Sequence, residues 1–123
     1  MAQPLALIFY ERLLPGTQLV NRLQDAGYRV QTVHDPNALI ATAQDEKPLI
    51  VLADLESTKA DICEIIGQLK QEDSTKHLPV VAFASEERQD LREQAQAAGA
   101  AVTGDAAILH HLTQVLDQAL QLD

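Results

Sequence analysis

The chain has 123 residues, which fits one domain and predicts a single unit over 1–123 that folds without disulfide or metal staples. It is 46% hydrophobic but only 3% aromatic, with no Trp, so its core is expected to be built from Leu, Ile, Val and Ala. A net charge of −9, spread along the chain without an acidic tail, repels phosphate backbones and argues against nucleic acid as a partner.

Met1 to Phe9 lacks a basic leader region, and its apolar run is too short for a signal peptide. Leu5-Ala6-Leu7-Ile8-Phe9 reads as the first strand, stopped by Tyr10-Glu11-Arg12. Pro15-Gly16 is expected to break the chain ahead of a helix with Leu19, Val20, Leu23 and Ala26 on one face, closed at Gly27. Tyr28 to Val33 alternates as a second strand. Asp35-Pro36 has the form of an N-cap and first helical position, followed by Leu39, Ile40 and Ala43. Leu49-Ile50-Val51-Leu52-Ala53 is continuously apolar, as a strand buried on both faces would be, and ends in Asp54. Ile62, Ile65, Ile66 and Leu69 give the third helix its face, with Cys63 on the apolar side, and polar Lys70 to His77 reads as a loop. Pro79 to Phe83 is the fourth strand, and Ser85-Glu86-Glu87 is expected to start a thinly apolar helix ending at Gly99. Ala100 to Thr103 makes a poor fifth strand, and Asp105 is expected to cap a last helix running from Ile108 to Leu120.

Strand and helix alternating five times predict a doubly wound (βα)5 α/β domain with a parallel sheet covered on both faces. An open sheet of this kind places its crevice at the carboxyl ends of the strands, which directs attention to Tyr10, Glu11, Asp54, Ala84, Ser85 and Thr103 onward. No stretch approaches about 20 apolar residues, so no membrane span is expected. Cys63 is the single cysteine, which suits a reducing cytoplasm.

Four signs in order resemble the CheY-like receiver domain of two-component response regulators over nearly the whole chain. They are Gly27-Tyr28 after the first helix, the apolar run ending in Asp54, Leu78-Pro79-Val80-Val81 opening the fourth strand, and Ala97-Ala98-Gly99-Ala100 before the fifth. The resemblance implies a five-stranded sheet in flavodoxin-like order 2-1-3-4-5 and a phosphoacceptor at Asp54. It also implies Mg2+ held by acids after the first strand, a hydroxyl after the fourth and a lysine after the fifth. The two acid positions here are Tyr10 and Glu11, leaving Glu11 and Asp54 as a thinned metal pair. The hydroxyl position is Ala84, and side-chain alternation aims the neighbouring Ser85 elsewhere. No lysine follows Lys76, the stretch near Gly104-Asp105-Ala106 adds negative charge instead, and Val102-Thr103 replace the usual aromatic switch residue. The resemblance is therefore to an atypical, or pseudo-receiver, variant of the phosphorelay module.

The same residues have plainer readings. Asp54 also fits the polar end of a buried strand, and Glu11 a solubilising strand end. His110-His111 point about 100° apart on a helix and make poor paired ligands, while His34 and His77 lack partners at metal spacing. No Ser/His/Asp motif or Gly-rich phosphate loop is present, so no enzyme activity is expected. The leading expectation is a cytoplasmic interaction module that binds a protein partner, a histidine kinase or another signalling protein, with impaired switching. Its contact face would be the mixed-charge segment with Glu86, Arg88, Asp90 and Arg92, through which receivers also form homodimers. One alternative is a working phosphoacceptor at Asp54 with Mg2+; another is a small flavodoxin-like ligand-binding protein or enzyme. The last helix reads through to Leu120-Gln121-Leu122-Asp123 without a linker-like stretch, so no attached output domain is expected from the sequence.

Overall fold

In the computed structural model, which describes residues 3–121, the five apolar runs become five strands of one parallel sheet. They are β1 (Leu5–Phe9), β2 (Arg29–Val33), β3 (Ile50–Asp54), β4 (Val80–Ala84) and β5 (Ala101–Gly104), in the order β2-β1-β3-β4-β5. Between them lie α1 (Leu13–Asp25), α2 (Leu39–Glu46), α3 (Ile62–Gln71) and α4 (Gln89–Ala98); α5 (Asp105–His110) and α6 (Leu112–Gln121) follow β5. This is the expected flavodoxin-like doubly wound architecture.

Alternation along each strand sorts the core into two layers. Leu7, Phe9, Val51, Ala53, Ala82 and Ala84 pack beneath α2, α3 and α4. Ala6, Ile8, Tyr10, Ile50, Leu52, Val81 and Phe83 pack beneath α1, α5 and α6. Central strands β1, β3 and β4 are buried at every position, which is why their sequences are continuous apolar runs rather than alternating ones. Asp54 follows Ile50 and Leu52 in the alternation, so its side chain is aimed toward the α1/α5 layer at the crevice end of the sheet.

Several boundaries depart from the sequence expectation. Pro15-Gly16 does not break the chain: α1 already begins at Leu13, and Pro15 falls in its first turn, where the missing N–H costs nothing. Gly16 is buried there against the Tyr10 ring. Ser85 to Glu87 form a turn rather than the start of a helix, and α4 begins at Gln89 after Arg88. Asp105 is not a cap. It is the first residue of α5, Gly104 holds the N-cap position without a side-chain bond, and the Asp105 carboxylate is drawn to a guanidinium instead. The last helix is interrupted at His111, whose φ and ψ are −128° and 35°. Other local signals behave as read: Asp35 accepts from the Asn37 N–H at 3.0 Å over a 3-10 turn at Pro36–Ala38, and Gly27 and Gly99 take the left-handed φ of helix exits. Leu122 and Asp123 lie outside the described residues.

Candidate functional site

The carboxyl ends of β1, β3 and β5 lie along one edge of the parallel sheet, where β1 and β3 are neighbours, and Arg12, Asp54 and Asp105 stand at those strand ends. Asp54 lies at the centre of that meeting point and is fully buried. Its Oδ2 accepts from the backbone N–H groups of Glu11 (3.1 Å) and Arg12 (3.0 Å). Its Oδ1 accepts from the Glu56 N–H (3.0 Å) and from Arg12 Nε (3.0 Å) and Nη2 (2.9 Å). An ionised carboxylate offers about four lone-pair sites, so five donors saturate it.

The Arg12 guanidinium is the hub of the crevice. Besides its two bonds to Asp54, it donates from Nη1 to Asp105 Oδ2 (2.7 Å) and from Nη2 to Asp105 Oδ1 (3.1 Å). Nη1 also pairs with Glu56 Oε2 at 3.1 Å. Burial alone would lower the Arg12 pKa, but the hydrogen bonds it donates to Asp105 and Asp54 outweigh it and hold the group above its ordinary value. A planar five-donor fork is the side chain suited to bridging carboxylates that lie in one plane on either side of it. Glu56 is fixed in turn, because its Oε2 accepts from the Ser85 N–H at 2.6 Å.

Glu11 faces away from Asp54. Its Oε1 accepts from Ser57 Oγ (2.7 Å), and its Oε2 accepts from Thr58 Oγ1 (2.6 Å) and the Thr58 N–H (3.0 Å). The Thr58 hydroxyl first, then the Thr58 N–H and the Ser57 hydroxyl, bring the Glu11 pKa down to about 2. The carboxylate therefore clasps the loop after β3. The structure does not bring the Glu11 and Asp54 carboxylates together on one open space, and no group of three or more His, Cys, Asp or Glu side chains among the described residues is arranged to hold a metal.

The remaining candidates fall around this hub. Tyr10 is buried, its ring edge-on to His34 at 4.9 Å between centroids, and it fills space over Gly16 rather than lining the crevice. Ala84 is fully buried in the layer beneath α3 and α4. Of the stretch Gly104-Asp105-Ala106 that stands where a lysine would be expected, Gly104 ends β5, paired with Ala84 across the sheet and covered by the Glu86 carboxylate, which a Cβ at Gly104 would strike. Of the mixed-charge segment, Arg88 and Asp90 pair with each other at 3.1 Å on the surface. Arg92 folds back to donate to the Ser85 carbonyl at 2.6 Å. His110 and His111 are exposed, and Cys63 is buried in the core layer beneath α3.

Sequence reasoning missed Arg12, Glu56 and the direction of Asp105. Arg12 reads in sequence as a strand stop, and its partners are 42 and 93 residues away. The signal available was compositional: one arginine stands among acids at the ends of three strands that the sheet order brings together.

No protein-family model matches the chain, and no curated protein matches it. Solved structures do. The receiver domain of a sensor histidine kinase from Pseudomonas aeruginosa, with a magnesium ion coordinated in its active site cleft, superposes with a TM-score of 0.86 at 19% identity, over 97% of this chain and 98% of that one. The NtrX receiver domain of Brucella abortus gives 0.83 at 21% identity, over 96% and 99%. The chemotaxis response regulator CheY4 of Vibrio cholerae gives 0.76 at 20% identity, over 93% and 99%. With its strand order and its buried aspartate at the end of β3, the chain has the fold of the CheY-like response-regulator receiver domains.

Proposed function

We propose that the chain is an atypical receiver, one domain over 1–123, which acts in cytoplasmic two-component signalling by binding a protein partner, a histidine kinase or another signalling protein, with phosphorylation switching impaired. The observation that carries this reading is the saturation of Asp54. A carboxylate attacks phosphorus through a free lone pair, with cations screening the approaching charge. Here both oxygens are committed to five donors, and the side chain is out of contact with solvent. An incoming phosphoryl group would also face Glu56 and Asp105, which with Asp54 leave the crevice negative despite Arg12. The positions that would hold and report a phosphate are an alanine at 84 and a glycine at 104, neither of which has a donor side chain.

Among the structural neighbours are a receiver domain with magnesium in its cleft and a Mn(2+)-bound form of the response regulator Rcp1. The residues of this crevice do not fit such an ion as they stand. Glu11 is spent on Ser57 and Thr58, and a guanidinium occupies the open side of Asp54. The exposed Arg88 and Asp90, with Glu86 and Arg92 beside them, are the contact face for the partner or for a second copy of the chain.

The test is incubation with a small phosphodonor and Mg2+, read by intact mass, alongside Asp54→Asn. The expected result is an unmodified wild-type chain. An adduct on the wild type that is lost in D54N would refute the reading.

A further inference from the structure

We infer that the Arg12 guanidinium is the resident cation of this crevice, taking the charge-neutralising place of a divalent metal at Asp54 and closing the site to one. The inference rests on reading the crevice as a receiver pocket. Three carboxylates from two parts of the chain converge on one guanidinium: Asp54 from the end of β3, Glu56 from the turn after it, and Asp105 from the start of α5. Their contacts to Arg12 nitrogens are 2.9, 3.1 and 2.7 Å, all within charge-assisted hydrogen-bond range. Neither the Glu56 nor the Asp105 carboxylate is needed to hold Asp54 in place, since the backbone N–H groups of residues 11, 12 and 56 already do so. What the two acids share with Asp54 is a demand for positive charge at one point, and Arg12 supplies it.

The arginine is held there by more than its own side chain. Its backbone N–H also binds Asp54, so the residue grips the same carboxylate at both ends. A metal entering the crevice would have to displace a fork with three carboxylate partners and tolerate its charge nearby. With the guanidinium removed, the balance reverses. The three carboxylates would surround a gap as wide as a guanidinium. A hydrated Mg2+ or Mn2+ is expected to enter such a gap, because magnesium keeps several of its waters and needs only one or two carboxylates directly.

The experiment uses the full chain and Mn2+ as the probe, followed by paramagnetic broadening of the amide resonances of residues 11, 12 and 56, whose N–H groups touch Asp54. The wild type is expected to show no broadening selective for these amides. Arg12→Gln is expected to show it, with Mn2+ binding at least ten-fold tighter than in the wild type and a melting temperature that rises with Mg2+. Selective broadening in the wild type would overturn the inference, whether or not the variant folds. A folded R12Q chain that gains neither broadening nor a Mg2+-dependent melting shift would overturn it too. A wild type that takes phosphate from a small donor yet shows no Mn2+ broadening would refute the proposed function while leaving Arg12 as the cation.

Discussion

Truncation of Arg12 is the perturbation whose size the structure fixes best. Arg12→Ala removes two side-chain bonds from a fully buried carboxylate and two more from Asp105. Breaking a buried ion pair by deleting one partner costs about 3–5 kcal/mol, because the other charge is left uncompensated. Two features reduce that here. The Arg12 side chain is 26% exposed, so water can enter the space it vacates. Asp54 also keeps three backbone N–H donors. The expected loss is therefore about 2–3 kcal/mol, equivalent to a melting shift of about 8–12 °C for a chain of this length. Urea denaturation followed by far-UV circular dichroism measures it, since the chain has no Trp. A double-mutant cycle with Asp54→Asn is expected to give a coupling of at least about 1.5 kcal/mol. The cycle with Asp105→Asn is expected to give about 0.5–1 kcal/mol, because the Asp105 side chain is partly in solvent. An R12A loss below about 1 kcal/mol, equal in the wild-type and D54N backgrounds, would refute the idea that the guanidinium stabilises Asp54.

Two further predictions concern the neighbours of the hub. Glu11 titrates at about 2 rather than its ordinary 4.5, so its clasp is intact above pH 4.5 and is lost as pH falls toward 2. A side-chain carboxyl NMR titration checks the midpoint, and Thr58→Val is expected to move it upward; a wild-type midpoint near 4.5 would show that the clasp does not hold the carboxylate. Gly16→Ala sets helix propensity against packing. Propensity favours Ala by about 0.5–1 kcal/mol, but the new Cβ would run into the buried Tyr10 ring, and overpacking costs about 1–3 kcal/mol. Packing is expected to win, so G16A should melt below the wild type but not in a Tyr10→Ala background, and a G16A chain that melts above the wild type would contradict the contact.

The sequence by itself determined the sheet. Central strands buried on both faces must be apolar throughout, so Leu5–Phe9, Ile50–Ala53 and Val80–Phe83 are visible without coordinates. It also placed Asp54 at the crevice and left position 84 without a donor, because both follow from counting along strands, and it showed that no lysine follows Lys76. Boundaries were less legible where a residue has two local uses. Pro15 both breaks a chain and suits a helix's first turn, and Asp105 has the chemistry of a cap but a stronger electrostatic partner. The occupant of the crevice was decided only by the tertiary structure. Strand alternation and helix periodicity are local, whereas Arg12 meets Asp54, Glu56 and Asp105 only because the parallel order β2-β1-β3-β4-β5 brings the carboxyl ends of β1, β3 and β5 to one edge of the sheet. The bonds to Asp105 and Asp54 outweigh the burial of the guanidinium there, and no local pattern records that.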